Sequence, residues 1–135
     1  MVFQKLMKKR VGNLIALFCI LSFLIYIISV TIKSYNTKKE INTQGIFTLG
    51  YIVKINIGGR VGDSFDYTFY FDGNSRINEN FVKKDYSRKH KIGDTIIIKF
   101  LPSKPEKSII IEDKEYKSCM GLPPKVGWKK LPVCK

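Results

Sequence analysis

The sequence predicts a mainly β protein in which one N-terminal transmembrane helix precedes a small five-stranded barrel of the SH3-like or OB-like kind. Two observations carry this prediction. A run of 22 residues, from Val11 to Ile32, contains no charged side chain. After Gly45, apolar and polar residues alternate with period two between short turn signals, which is typical of half-buried strands. A chain of 135 residues leaves room for one domain beside the helix.

The apolar run is long enough to cross a bilayer, because a helix of its length spans roughly 33 Å. A cleaved signal peptide has a shorter apolar core of about 7 to 15 residues and ends in a small-x-small site. Ser29-Val30-Thr31 fits such a site poorly and follows too long a core. We therefore expect residues 11–32 to be an uncleaved anchor, with cleavage or a buried core helix as the alternatives.

Basic residues flank the run on both sides and predict its orientation. Residues 1–10 form a basic tail with four charged residues, whereas the other flank has three; they are Lys5, Lys8, Lys9 and Arg10, then Lys33, Lys38 and Lys39. By the positive-inside rule, this small bias favours a cytoplasmic N-terminus. The bulk of the protein would then lie outside the cytoplasm.

A polar stretch, residues 33–44, separates the anchor from the predicted domain and is interpreted as a linker. The domain, residues 45–116, begins with a long strand from Phe47 to Ile57 in which the odd positions are apolar, so we expect that side to be buried. A glycine-rich turn leads to a second strand whose aromatic residues alternate with polar ones; they are Phe65, Tyr67, Phe69 and Phe71.

Three further strands complete the predicted barrel. The third, Ser75 to Val82, has only Ile77 and Phe81 as large apolar residues on one face, and a loop or one helical turn follows it over residues 83–91. The fourth strand is 95–101, which Pro102 and Pro105 are expected to stop, and the fifth is 108–111.

Several of these residues recur in a known arrangement. An aromatic strand ending in a glycine turn is followed by a Gly-Asp-x-Ile-x-Ile-x-Phe-x-Pro-x-x-Pro pattern; the residues are Tyr67, Phe69, Phe71, Gly73, Gly93, Asp94, Ile96, Ile98, Phe100, Pro102 and Pro105. Over residues 45–108 the chain resembles an uncharacterised family of small bacterial membrane-anchored β-domain proteins. The resemblance implies the β-domain and the anchor, here in the bacterial inner (cytoplasmic) membrane, but no activity.

The sequence offers no set of residues for catalysis. His90 is the sole histidine and lies in a basic run, where a solvated loop histidine is expected. The acidic residues are scattered, and residues 58–62 are glycine-rich but open no helix that could hold a phosphate. We therefore predict a non-enzymatic protein with no catalytic residue, metal site or cofactor.

The C-terminal segment, residues 117–135, is predicted to be a basic loop closed by a disulfide. Cys119 and Cys134 are the only cysteines outside the apolar run, and they bracket a proline-containing stretch. Outside the cytoplasm, such a bridge would contribute on the order of 3 kcal/mol to stability. The alternative is two free thiols in a disordered tail.

This segment also supplies the predicted binding residues. The only tryptophan, Trp128, lies beside Lys129 and Lys130, with Lys125 nearby and no acidic residue from Lys117 to the end. An aromatic ring beside cations suits an acidic protein surface or anionic headgroups. The alternative is biased base composition, because lysine outnumbers arginine 20 to 4.

These observations predict a single-pass envelope protein whose extracytoplasmic domain binds a protein partner, as a membrane-complex subunit or in a toxin-immunity type of role. The alternative is a basic OB-like module that binds anionic lipid headgroups or single-stranded nucleic acid, with Tyr51, Tyr67 and Tyr70 as stacking platforms. Nucleic acid is disfavoured because most aromatic residues alternate strictly, as core residues do, and because the anchor would hold the domain away from it.

Overall fold

The computed structural model describes residues 2–134 and divides the chain into two compact units, Met1–Lys38 and Lys39–Lys135. Helix α1, Val2–Gln44, provides all of the regular structure in the first unit. It contains one stretch that is long and apolar enough to cross a membrane. Its side chains from Asn13 to Ile32 are exposed, as a membrane-spanning helix requires.

The segment interpreted as a linker, residues 33–44, is helical and continues α1. No glycine or proline interrupts the chain between Asn13 and Gln44, so nothing stops the helix at the end of its apolar part. Gly45 ends it, and its N–H donates to the carbonyl of Ile41 at 3.0 Å. The ammonium of Lys99 donates to the carbonyl of Asn42 at 2.7 Å, a favourable position for a cation near a helix C-terminus.

The second unit is a nearly closed five-stranded barrel, as the sequence predicts. The elements are β1 Ile46–Gly59, β2 Gly62–Phe71, β3 Asn74–Val82, α2 Lys84–Ser87, β4 Thr95–Leu101 and β5 Lys104–Ile110. Hydrogen-bonded neighbours follow the order β3-β2-β1-β4-β5, and each pair is antiparallel. The long β1 pairs with both β2 and β4, which joins the meander β1–β2–β3 to the β4–β5 pair. The two ends of this order, β3 and β5, lie close to each other, which nearly closes the sheet.

The interior of the barrel is aromatic and aliphatic. The predicted alternation of β2 is correct, since Phe65, Tyr67 and Phe69 are all fully buried. They pack with inward residues of β1, β3, α2 and β4, namely Ile52, Val82, Tyr86, Ile96, Ile98 and Phe100. The rings of Phe69 and Phe100 lie 5.2 Å apart, a separation at which tilted aromatic pairs attract.

Strand β1 differs from the prediction that its odd positions are buried. Among the odd positions Leu49 is buried as expected, whereas Tyr51 and Val53 are exposed and the even-numbered Ile52 is buried. A bulge between Ile52 and Lys54 then shifts the register against β2. Beyond the bulge, Ile55 packs against the core. Gly50 also faces inward, where a Cβ atom would lie 3.1 Å from the ring of Tyr67. One bulge therefore exchanges the two faces of the strand.

Strand β3 reverses the expected burial, because its apolar residues Ile77 and Phe81 are 72% and 60% exposed. Its inward residues are asparagines that face β5 across what we call the β3–β5 seam, where side chains connect two strands that share no ladder. Asn78 donates to the carbonyls of Pro105 and Glu106, both at 3.3 Å, and to the hydroxyl of Ser108. The barrel thus closes through amide side chains.

A second residue completes the seam. The side-chain oxygen of Asn80 accepts from the N–H of Ile110 at 3.1 Å and from the hydroxyl of Tyr67 at 3.2 Å. Pro105 lies within β5 and does not end the preceding strand as expected. A proline is tolerated there because β5 is at the edge of the hydrogen-bonded order.

Candidate functional site

The predicted disulfide is present. Cys119 and Cys134 are bonded, with their Cα atoms 5.7 Å apart, a usual separation for such a bond. We call residues 119–134 the disulfide loop. Apart from a 3₁₀ turn, Ser118–Met120, and an isolated bridge at Trp128, this described segment has no helix or strand. Its conformation therefore depends on the bond and on a few contacts with the barrel.

Trp128 attaches the disulfide loop to the start of β1. The N–H of Phe47 donates to the carbonyl of Trp128 at 2.8 Å, and the N–H of Trp128 donates back at 2.7 Å. The ladder between β1 and β2 ends at the pair Gly50 and Phe69, so the loop occupies the side of β1 that β2 has left. The side chain of Trp128 is half-buried. It thus offers a partner only part of its surface.

Gly127 makes this attachment possible. It is buried, has a φ of +82°, and a Cβ atom there would lie 2.7 Å from the carbonyl oxygen of Phe47. Only glycine fits both conditions without strain. The three predicted lysines are all exposed. Lys129 and Lys130 follow Trp128 in the sequence, whereas Lys125 precedes Gly127.

A groove of about 550 Å³ lies between the disulfide loop and the ends of β1 and β2. We call it the tyrosine groove. The sheet side comprises Thr48, Leu49, Tyr51, Tyr70 and Phe71, the β2–β3 turn contributes Asp72 and Gly73, and the loop side comprises Leu122, Pro123, Pro124 and Lys125. The groove thus brings Lys125, a predicted site residue, next to two tyrosines, while the other predicted residues do not line it.

A second surface is the outer side of β1, β2 and β3. We define the meander face as its exposed apolar residues, Tyr51, Tyr70, Ile77 and Phe81. Their exposed fractions run from 37% for Tyr51 to 72% for Ile77. Tyr51, Thr68 and Ile77 are Cα partners across the three strands, so they form one row. Tyr51 and Tyr70 were considered as stacking platforms, but the outward position of Ile77 and Phe81 was not predicted, although the asparagines that alternate with them were a usable signal.

Charged residues of both signs form the next row of the same face. Lys54, Asp66 and Glu79 are Cα partners across β1, β2 and β3. The hydroxyl of Ser64 donates to Glu79 at 2.7 Å, and Asn56 donates to Asp66 at 3.4 Å. Two carboxylates in the centre of the face oppose the approach of a phosphate chain.

Asp63 holds the β1–β2 turn against α2. This buried carboxylate accepts from the N–H of Gly58 at 2.9 Å and from the hydroxyl of Ser87. These bonds, the one from Ser87 first, lower the pKa of Asp63 below its usual value of 3.8. The turn is therefore fixed by a charged side chain.

A smaller cleft, of about 370 Å³, contains the sole histidine. The Nδ1 atom of His90 lies 2.9 Å from the carbonyl oxygen of Tyr86, and the two rings are 4.1 Å apart. Burial, followed by the nearby Glu112 and Glu115, raises the pKa of Tyr86 to about 12. His90 is half-buried against the domain and not fully solvated. Within residues 2–134, no three metal-ligating side chains form a group that could hold an ion.

No family model, curated protein or solved structure matches this chain. Two adjoining surfaces stand out, the meander face and the tyrosine groove, because Tyr51 and Tyr70 belong to both.

Proposed function

We propose that this chain is a non-enzymatic, single-pass protein of the bacterial inner membrane, with a cytoplasmic N-terminus and an OB-like domain outside the cytoplasm. Helix α1 supplies an anchor of sufficient length. The bond between Cys119 and Cys134 favours an oxidising compartment for the domain. The charge bias around the apolar run and the resemblance to membrane-anchored β-domain proteins support the same location.

The domain acts by binding a protein partner, in the role of a membrane-complex subunit or in a toxin-immunity pair. The meander face is the observation that carries this proposal. Tyr70, Ile77 and Phe81 are each at least 60% exposed, and they lie on the neighbouring strands β2 and β3. Tyr51, Tyr70 and Ile77 lie in adjoining rows, and Phe81 lies beyond the charged row of the same face. Exposed apolar residues that share one face of a small domain are typical of interaction sites. Tyrosine is also enriched among residues that dominate binding energy.

A protein fits this face better than a nucleic acid does. Tyr67, one of three tyrosines considered as stacking platforms, is fully buried and bonded to Ser108. The carboxylates of Asp66 and Glu79 lie in the row beside Tyr51, where a phosphate chain would have to pass. A protein partner can match both apolar and charged residues.

The location is tested by protease protection. A C-terminal tag on the full chain should be removed when protease is added to intact spheroplasts, because residues 33–135 would lie outside the cytoplasm. A cytoplasmic marker protein in the same sample should stay intact. A tag that resists digestion until lysis would reverse the proposed orientation.

The binding surface is tested by photocrosslinking in intact cells with a benzoyl-phenylalanine at position 70. We expect an adduct with another protein, reduced at least tenfold by Ile77→Asp, because a charge on the face opposes apolar contact. Ile92→Asp is the matched control, since Ile92 is 66% exposed in the turn before β4. Equal adduct from both variants would remove the meander face from the proposal.

A further inference from the structure

We infer that the tyrosine groove binds an extended segment of the protein partner that carries apolar and acidic side chains, and only while the Cys119–Cys134 bond is intact. This inference rests on the proposed function and adds to it a second contact, the chemistry of the bound segment and a means of regulation. Binding is regulated by the oxidation state of the disulfide loop, which forms one wall of the groove.

The groove continues the meander face. Tyr51 and Tyr70 belong to both, and the half-buried Phe71 adds to the apolar lining, while Leu49 beside them is buried. A volume of about 550 Å³ is within the range of ligand sites. A partner that covers the meander face therefore reaches the groove without leaving an apolar surface.

The charges around the tyrosine groove indicate the chemistry of the segment that binds there. The loop wall carries Lys125, and the same loop exposes Lys129 and Lys130, with no acidic residue after Glu115 in the sequence. Asp72 is the one carboxylate among the groove-lining residues, at the turn on the opposite side. A segment with an acidic side chain against Lys125 and apolar side chains against the tyrosines matches both the positive charge of the loop and the apolar residues that line the groove.

The loop wall has few other supports. The hydrogen bonds between Phe47 and Trp128 are its backbone connection to a strand, while Leu122, Val126 and Val133 are 77%, 68% and 87% exposed. Closing a loop of this length restricts the released chain by a factor on the order of a hundred. The bond therefore decides whether residues 122–125 stay in place opposite the tyrosines.

The switching step is a thiol–disulfide exchange. A dithiol reductant transfers two electrons and two protons to the bond, so that Cys119 and Cys134 become thiols and the dithiol becomes a disulfide. The protein retains all barrel hydrogen bonds, because neither cysteine lies in a strand. Only the loop is released.

Trp128 reports this release directly because it is the only tryptophan. In the detergent-solubilised full chain, dithiothreitol should shift its emission to longer wavelength and increase acrylamide quenching at least twofold. The β-sheet circular dichroism should not change. The double variant Cys119→Ser with Cys134→Ser should show the same emission without reductant. Unchanged emission and quenching after complete reduction, verified by alkylation, would overturn the redox control.

Photocrosslinking tests the groove. A benzoyl-phenylalanine at position 122, on the loop wall, should give a partner adduct in oxidised cells that falls at least tenfold after dithiothreitol. Lys125→Glu should reduce it similarly, whereas Lys107→Glu, on an exposed residue of β5, should not. If the two variants give equal amounts of adduct, the inference that the bound segment is acidic is wrong.

The two proposals fail in different ways. If the adduct at position 70 persists while position 122 gives none, the groove inference is wrong and the meander face remains a binding site. An adduct of twice the chain's own mass, or one with lipid, would show a different occupant and overturn the groove inference. Absence of a protein adduct at both positions would overturn the proposed function as well.

Discussion

Strands β2 and β3 are neighbours in one ladder, yet they use their side chains in opposite ways. In β2 the aromatic residues Phe65 and Phe69 point into the barrel and are fully buried. In β3 the apolar residues Ile77 and Phe81 point outward, and the asparagines point in. The cause is position, because β2 is paired on both sides and β3 on only one.

The difference shows that closure takes precedence over hydrophobicity at the edge of this barrel. Strand β5 presents N–H and C=O groups to β3 without a ladder, and such groups must find partners when partly buried. Asn78 and Asn80 supply both donors and acceptors, which an apolar side chain cannot do. Ile77 and Phe81 consequently lie on the surface, where they form much of the meander face, while Val82 at the end of β3 packs in the core.

The largest expected difference between the two strands is the stability lost when one aromatic ring is removed from each. Phe69→Ala should reduce the free energy of unfolding by about 3–5 kcal/mol, because it opens a cavity against Phe100. Phe81→Ala should change it by less than about 0.5 kcal/mol, since Phe81 is exposed. Urea unfolding followed by circular dichroism measures both. Similar losses would mean that Phe81 is buried in solution and that the two strands are alike.

A smaller effect is expected at the seam. Asn78→Ala should cost about 2 kcal/mol, because it leaves the carbonyl of Pro105 and the hydroxyl of Ser108 without a donor. Asn74→Ala is the control on the same strand, since Asn74 bonds only within the exposed turn and its loss should cost less than about 0.5 kcal/mol. A neutral Asn78→Ala would show that the seam does not hold the barrel closed.

The smallest expected effect is on the free energy of unfolding at acid pH, and it concerns Asp63 near the start of β2. Because the folded pKa of Asp63 is lowered, its stabilisation is complete above the usual value of 3.8 and is lost as the pH falls through the folded value. Asp63→Asn should therefore flatten the decline in unfolding free energy below about pH 4. Parallel pH profiles for wild type and Asp63→Asn would contradict the hydrogen bonds from Gly58 and Ser87.

The sequence predicted elements wherever local pattern and tertiary position agree. The alternation in β2, the turn at Asp72-Gly73 and the long apolar N-terminal helix are of this kind. The faces of β1 were not predictable from alternation, because the bulge after Ile52 depends on how β2 and β4 pair with that strand. The helical state of residues 33–44 was missed for a different reason, since an exposed helix needs no apolar period.

The candidate site was predictable in part. The pairing of Cys119 with Cys134 followed from the cysteine count, and the structure contains it. The docking of Trp128 on Phe47 was not visible in sequence, because the two residues lie far apart and a single bridge leaves no periodic signal. The meander face was missed because the sequence showed Ile77 and Phe81 on one side of the third strand without showing which side faces the barrel.

The β3–β5 seam also determines where this barrel can open without unfolding. Backbone ladders connect every other pair of neighbouring strands, whereas the seam depends on two asparagine side chains, which are part-exposed. Side chains change rotamer far faster than a ladder dissolves. The amide proton of Ile110, which donates to Asn80, should therefore exchange with solvent through brief openings, while the ladder protons of β1 and β2 exchange only on global unfolding. The sheet is therefore closed between β3 and β5 by side-chain hydrogen bonds and not by a backbone ladder.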